Sequence, residues 1–170
     1  MKRIRKLIVP MLAALVLTVC AAPGAEKGKG TTKELAYVAE LDLGFDQAIE
    51  RVTEALKAEG FGIISRIDLH TTFKKKLDVE MDPHTILGAC NPKLAHRAVT
   101  ALPEASLMLP CNVTVQAVGA GRTVVRIVNP HTIMADAGLD EHPAVNEVGV
   151  EADERLKRVA EKLRGNEGMS

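Results

Sequence analysis

A short apolar run from Thr85 to Cys90 constrains the fold of this chain more than any other feature of its sequence. The run is too short for a typical helix and contains Gly88, so it is typical of a strand that is covered on both faces or closely approached by another element. Asn91 and Pro92 follow at once, and these residue types favour the cap and the first position of a helix. We therefore expect a buried strand that leads directly into a helix.

The segments before this run also have strand and helix patterns in turn. Residues 37–43 and 61–70 alternate apolar and polar side chains with the period of half-buried strands. Residues 45–59, between them, have helical spacing and end at Gly60, a residue type that commonly stops helices. A short helix is predicted over 71–78.

The second half of the chain adds a hairpin and a long helix. Residues 110–118 and 122–133 are predicted as two strands around Gly119-Ala120-Gly121, with Pro130 ending or bending the second strand. Residues 143–164 have the apolar spacing of a helix. Strands and helices thus interleave, which predicts an α+β fold: a two-layer sandwich in which a mixed, mainly antiparallel sheet has helices packed on one face.

The length and composition are those of one globular domain. The chain has 170 residues, of which 46% are apolar, and shows no internal repeat, so we expect a single domain over 36–165. Its 22 basic and 22 acidic side chains balance, and it has only one Tyr, three Phe and no Trp. Nucleic-acid binders need positive charge and aromatic side chains that stack on bases, so the composition argues against that class.

The N-terminus has the pattern of a secretory signal peptide over 1–21. Basic residues within 2–6 precede an apolar run from Leu7 to Val19, which small residues follow. The run is shorter than the roughly 20 apolar residues of a membrane span, so no span is predicted. We expect cleavage after Ala21, a flexible leader over 22–35 and a periplasmic product.

Cys20 allows a second interpretation, because the residues before it resemble the box at which bacterial lipoproteins are cleaved and lipid-anchored. Val19 stands where that box has a small residue, so the soluble product is preferred. Cleavage after Ala21 removes four of the 22 basic side chains and leaves 18 against 22 acidic ones. The mature chain keeps two cysteines, Cys90 and Cys111, for an oxidising compartment.

These two cysteines lie in motifs that resemble a known family. The sequences Ala89-Cys90-Asn91-Pro92 and Pro110-Cys111-Asn112, with Gly60-Phe61-Gly62 and Ile67-Asp68, are similar to the bacterial and archaeal family catalogued as domain of unknown function 302. The resemblance covers about 41–130. It implies a small α+β domain, often a homodimer, with no established activity.

Cys90 occupies a position that suits either a reactive or a buried thiol. It precedes the Asn91 cap, so the helix end can lower its pKa and make it a redox or nucleophilic cysteine. Alternatively, it is a small apolar residue that closes a buried strand. Cys111 shares strand parity with Val113 and Val115, which predicts a buried side chain.

The two Cys-Asn pairs, with 20 residues between their cysteines, are expected to be neighbours in space. A disulfide, thiol exchange, a thiolate site for a metal or cofactor and simple packing remain open. The spacing matches neither Cys-x-x-Cys nor a zinc ribbon, and His84 lies at the far end of its strand from Cys90. We therefore name no metal ligand and assign no cofactor.

The function predicted from the sequence is a ligand-binding or assembly domain that takes a small molecule. Its predicted ligand-binding residues are Cys90, Asn91, Pro92, Cys111 and Asn112. The alternative is a thiol-redox or thiolate-dependent enzyme with Cys90 as nucleophile and Cys111 as resolving thiol. The usual markers of nucleotide-dependent enzymes, zinc proteases and serine hydrolases do not occur in the sequence.

Strand alternation also predicts an open polar face of the sheet, turned away from the helices. Such a face can bind a small polar ligand or a second copy of the chain in a symmetric dimer. The polar side chains expected on it are Glu40, Asp42, Arg66, Asp68, His70, Asn112, Thr114, Gln116 and Arg126.

Overall fold

Five strands form one sheet in the computed structural model, which describes residues 34–165. Every neighbouring pair is antiparallel and the strand order is β1-β5-β4-β3-β2. The α+β fold is confirmed, but the expectation of a mixed sheet is wrong because no pair is parallel among the described strands. The signal peptide, its cleavage site and Cys20 lie outside the described residues. The strands are β1 (Ala36–Leu41), β2 (Gly62–Asp68), β3 (His84–Cys90), β4 (Cys111–Ala117) and β5 (Thr123–Val128).

Helices connect the strands and follow the last one. Four of them match the helices predicted over 45–59, over 71–78, after Asn91 and over 143–164, whereas α4 lies where the sequence predicted that the second hairpin strand continues. A 3₁₀ helix over Pro103–Met108 joins α3 to β4. The helices are α1 (Phe45–Ala58), α2 (Leu69–Leu77), α3 (Pro92–Ala101), α4 (Pro130–Asp136) and α5 (Pro143–Arg164).

Gly60 ends α1 as the sequence predicted, and the backbone explains why. Its N–H donates to the carbonyl of Lys57, and the N–H of Phe61 donates to the carbonyl of Leu56. This pair of hydrogen bonds requires a left-handed residue at the helix end, and Gly60 has a φ of +82°. Phe61 is buried directly afterwards, so the turn brings the chain into β2.

The core lies between the covered face of the sheet and helices α1, α3 and α5. The apolar stripe predicted for α5 is fully buried, as expected. The covered face is formed by every second residue of β1, β3, β4 and β5. β1 and β4 therefore have the alternation that the sequence indicated. β3 alternates as well, with Ile86 and Cys90 only half-buried on the other face, so it is not covered on both faces. The largest fully buried core side chains are Val52, Leu56, Leu87, Val113, Val115, Val125, Ile127, Val145, Leu156, Val159 and Leu163.

A bulge in β2 reverses the faces of the second half of that strand. The pairing with β3 shifts between Ile63 and Ser65, so the side chains after the bulge have the opposite parity. Arg66 is paired with Leu87, whose side chain is in the core, and Ile67 is 49% exposed. The prediction that Arg66 lies on the open face is therefore wrong, because a single inserted residue exchanges the two faces.

Asp68 shares this reversal and anchors the start of α2. It is paired with Thr85, whose fully buried hydroxyl donates to the Asp68 carboxylate, and Arg66 Nε donates to the same oxygen at 2.9 Å. The Thr85 hydrogen bond is the main cause that lowers the pKa of Asp68. His70 Nδ1, in the first turn of α2, lies 3.1 Å from the backbone N–H of His84. These contacts attach α2 to the beginning of β3.

Candidate functional site

The antiparallel topology brings the two cysteine motifs to one edge of the sheet. β3 and β5 run in the same direction because each is antiparallel to β4, so both end where β4 begins. Ala89 is paired directly with Cys111, and Gly88 with Asn112, so the motifs are neighbours as expected. We name this side of the sheet the motif edge, and its segments are 90–92, 110–112 and 128–130.

Asn91 and Pro92 start α3 as predicted. Asn91 Oδ1 accepts hydrogen bonds from the backbone N–H groups of Lys93, at 3.2 Å, and Leu94, at 3.3 Å. Gly60 leaves room for the same amide, because a Cβ at Gly60 would lie 3.0 Å from Asn91 Nδ2. The Asn91 side chain is thus buried and used in fixing the junction between β3 and α3.

Cys90 and Cys111 are both free thiols, so no disulfide joins them within the described chain. Cys111 is buried on the covered face with Val113, as the strand parity predicted. Cys90 is half-buried, and it follows Ala89, the residue that is paired with Cys111. Alternation along β3 therefore assigns the two thiols to opposite faces of the sheet.

Burial raises the pKa of both thiols. The pKa of Cys90 lies above its ordinary value, which is the opposite of the lowering expected from the α3 N-terminus. Burial, with a smaller contribution from Cys90, raises the pKa of Cys111 to about 11. Both side chains are therefore protonated at neutral pH, and a thiolate nucleophile is disfavoured at each position.

A cleft of about 220 Å³ opens at the motif edge between the start of β4 and α4. Its walls come from the 3₁₀ helix, β4, the end of β5 and α4. None of its lining side chains is ionised at neutral pH, and Asn112 supplies the only side-chain amide. We name it the Cys111 cleft, and its lining residues are Leu107, Met108, Leu109, Pro110, Cys111, Asn112, Val128, Pro130, Ile133 and Met134.

The five predicted ligand-binding residues share the motif edge but not one cavity. Cys111 and Asn112 line the Cys111 cleft, whereas Cys90 and Pro92 line an open depression of about 360 Å³. Asn91 and Pro92 line a second, more polar depression of about 400 Å³. Cys90, Asn91 and Cys111 do meet at a void, but its volume is only about 20 Å³. The structure therefore divides the predicted site among several cavities.

Gly88 shapes one wall of the cleft. A Cβ at this position would lie 2.6 Å from Cγ of Pro110, a lining residue, and would also clash with the Ser65 hydroxyl. Because the Pro110 ring is rigid, the close approach of β3 and the cleft wall requires a residue without a side chain. The close approach that the sequence suggested for this strand is therefore present.

Sequence reasoning missed the wall that α4 contributes, including Ile133 and Met134. A signal for this helix was present, because Asn129-Pro130 repeats the Asn91-Pro92 pair that starts α3. Asn129 Oδ1 accepts a hydrogen bond of 2.9 Å from the backbone N–H of Thr132, as a helix cap does.

Asn129 also ties α4 to the rest of the fold. Its Nδ2 donates to the Tyr37 hydroxyl at 3.2 Å, and that hydroxyl donates to Asp153 Oδ1 at 2.7 Å. Burial and the neighbouring Asp153 raise the pKa of Tyr37, so this hydrogen bond donor stays neutral. The network links β5, β1 and α5 and holds the cleft wall in place.

The open face of the sheet carries five of the nine polar side chains predicted for it. Those that share this face are Glu40, Asn112, Thr114, Gln116 and Arg126. The other four lie elsewhere, because the bulge turns Arg66 and Asp68 to the covered side, Asp42 follows β1 and His70 belongs to α2.

Hydrogen bonding on the open face is incomplete. Arg126 Nη1 donates to Gln116 Oε1 at 2.9 Å. Thr114 Oγ1 and His84 Nε2 are buried and have no hydrogen-bond partner in the described structure. Burial, together with Arg126 and His70, lowers the pKa of His84. The His84 side chain is therefore neutral at physiological pH.

Two further findings apply to residues 34–165. No group of three or more His, Cys, Asp and Glu side chains there is arranged to hold a metal ion. In the same range, no helix combines the length and the apolar composition needed to cross a membrane.

Comparison with known proteins gives a family and a fold. Residues 37–163 match the family model described as "Domain of unknown function DUF302". The fold is similar to a solved structure, an uncharacterized conserved protein DUF302 from Bacillus stearothermophilus, with a TM-score of 0.68 and 27% sequence identity. The similarity covers 77% of this chain and 99% of that chain. No curated protein matches the sequence.

Proposed function

Because the chain belongs to the DUF302 family, whose description carries no activity, we propose a function from the geometry of the motif edge: the domain binds a small ligand in the Cys111 cleft. The observation that carries this proposal is a cleft of about 220 Å³ built around one of the two Cys-Asn motifs. Binding sites are commonly concave and mostly apolar, with a few placed polar groups.

The volume of the cleft limits the size of the ligand. A buried cavity of about 150 Å³ is enough to bind benzene, whereas sites for drug-sized molecules span about 300–1,000 Å³. At about 220 Å³, the Cys111 cleft suits a ligand of about one ring or a few heavy atoms.

The lining of the cleft limits the chemistry of the ligand. Apolar side chains dominate the walls, and ionised groups are absent from its ten lining residues. The exposed Asn112 amide can donate and accept a hydrogen bond at one side. A ligand that is mostly apolar with at most one polar group matches this lining.

The thiol-enzyme alternative has less support. A nucleophilic cysteine needs a lowered pKa, and burial raises the pKa of both Cys90 and Cys111. The two thiols also leave opposite faces of the sheet. Cys111 is better suited to form part of an apolar wall than to exchange disulfides.

Benzene affinity of the metal-free protein tests the proposal. Ile133→Phe adds a ring to the cleft wall, so we expect benzene binding to weaken about tenfold or more, equivalent to about 1.4 kcal/mol. Ile67→Phe is the matched control, because Ile67 is half-exposed on the open face and away from the cleft. The thermal midpoint of each variant checks folding. Equal affinities of the two folded variants would contradict the proposal.

We also propose that two copies pair through the open face of the sheet. Its one Arg and one Glu balance in charge, and Val38 and Ile67, on the two edge strands, are 42% and 49% exposed. A two-fold axis parallel to the strands places β1 over the partner's β2, so these two apolar side chains meet.

Two masses of the purified protein test two proposals. The native mass tests the pairing of two copies, and the denatured mass tests export with cleavage of the signal peptide. We expect a native mass of two chains and a denatured mass of residues 22–170, which corresponds to cleavage after Ala21. A lipid-bearing chain that begins at Cys20 would support the lipoprotein alternative instead. A monomer at micromolar concentration would contradict the pairing.

A further inference from the structure

Three sulfur-containing side chains line the Cys111 cleft, each from a different element. Met108 ends the 3₁₀ helix, Cys111 begins β4 and Met134 lies in α4. Residues 34–165 contain only two other sulfur side chains, Met81 and Cys90, and neither lines this cleft. Sulfur is therefore concentrated at the one cavity that the proposed function uses.

We propose that the Cys111 cleft is a binding site for Cu(I), held by the sulfur atoms of Met108, Cys111 and Met134. This inference rests on the proposed function because it uses the same cleft, and it assigns that cleft an inorganic ligand beside the small apolar molecule. Thiol and thioether sulfur are soft donors that select Cu(I), whereas carboxylate, carbonyl and water oxygens suit Mg²⁺ and Ca²⁺. No lining side chain is a carboxylate or an imidazole, and the Asn112 amide is the one lining side chain with an oxygen, so sulfur outnumbers the ligands of harder ions.

The charge balance of the cleft also favours a monovalent ion. Binding replaces the Cys111 proton with Cu(I), so that an S–H bond breaks, a Cu–S bond forms and the proton passes to solvent. The product of one thiolate and one Cu(I) is neutral, and a neutral complex can stay in an apolar environment. A divalent ion at the same ligands leaves one uncompensated positive charge among apolar walls, which is costly.

The three sulfur ligands differ in how firmly they are held. Cys111 is 9% exposed and fixed in the sheet through its pairing with Ala89. Met134 Sδ packs at the bare backbone of Gly149, where a Cβ would lie 3.0 Å away. Met108 is half-buried, and its flexible side chain can adjust to an ion.

Titration of Cu(I) against the chelator bicinchoninate, with reductant and without oxygen, tests the site. We expect one ion per chain and one proton released per ion. Cys111→Ser and Met134→Leu should each weaken binding on the order of 10-fold to 100-fold, as loss of a partner in a metal site does. Cys90→Ser and Met81→Leu are the matched controls, and their affinities should stay within about twofold of the unaltered chain, since neither side chain lines the cleft.

The outcomes separate this inference from the proposed function. If Cu(I) binding is absent but benzene still binds the cleft, the Cu(I) site is wrong and the ligand-binding function stands. If Cys90→Ser loses Cu(I) as severely as Cys111→Ser, a two-thiol site replaces the one proposed. If neither Cu(I) nor benzene binds the folded protein, both proposals fail.

Discussion

At Cys90, the residue type and its position before a helix did not predict the direction of the pKa shift. The sequence placed it before a capped helix, which is a position that can lower a thiol pKa, and the helix and cap are both present. The Cys90 side chain, however, is half-buried on the face of the sheet opposite Cys111. Burial therefore raises the thiol pKa. The chain pattern indicated the helix end but not how much water reaches the sulfur.

Alkylation with iodoacetamide tests whether burial slows the reaction of both cysteines. Because burial raises both pKa values, we expect Cys90 to react slowly, with an apparent pKa above the ordinary value of about 8.5. Cys111 should react more slowly still, because burial raises its pKa to about 11. Peptide mass mapping across a pH series gives both rates, and rapid labelling of Cys90 at pH 7 would support the thiol-enzyme alternative.

Gly88 is a second position at which one residue affects the site. Gly88→Ala should destabilise the fold by about 1–3 kcal/mol, since the added methyl group meets the rigid Pro110 ring. Gly62→Ala is the matched control, because no heavy atom lies within 4 Å of a Cβ there. Urea unfolding of both variants measures the difference, and equal midpoints would show that the cleft wall yields without cost.

Elements with their own start and stop residues were predicted well. α1 has its Gly60 stop, α3 its Asn91-Pro92 start, and α5 a continuous apolar stripe over 143–164. The second half of β2 was predicted with the wrong faces, because a bulge inserts one residue and leaves no local signal in the alternation. α4 was missed because Pro130 was interpreted as the end of a strand and not also as the first residue of a helix.

The Thr85–Asp68 hydrogen bond provides a test of the β2 parity after the bulge. Thr85→Val removes the donor, so the free energy of unfolding should fall at pH 7. We expect a loss of about 1 kcal/mol, less than for a bond to a fully buried carboxylate, because water screens the partly exposed Asp68. The bond lowers the folded pKa of Asp68, so its contribution is complete above the unfolded pKa of about 3.9 and disappears as the pH falls through the folded value.

Thr72→Val is the control for that experiment. The Thr72 hydroxyl donates to the backbone carbonyl of Asp68 and not to its carboxylate, so its effect should not depend on pH. Urea midpoints from pH 7 to pH 2 measure both variants. If the Thr85→Val difference stays constant over that range, the carboxylate is not the acceptor.

On the scale of the whole molecule, antiparallel topology assembles the motif edge from distant segments. Residues 90–92, 110–112 and 128–130 meet only because β3 and β5 both end where β4 begins. The sequence predicted the two Cys-Asn motifs as neighbours, but the opening between them and α4 depends on the path of 103–108 and on a helix that was not predicted. The two motifs are therefore neighbours as expected, their role in binding stays a prediction, and the cavity that Cys111 and Asn112 line was not foreseen.

The most direct test of the account is a map of backbone amide chemical shifts during a titration of the metal-free protein with benzene. The Cys111 cleft predicts that the saturating shifts lie in 107–112 and 128–134, with little change on the open face at Glu40 and Arg126. Shifts confined to the open face, or no saturable shift at any amide, would contradict a ligand site at the motif edge.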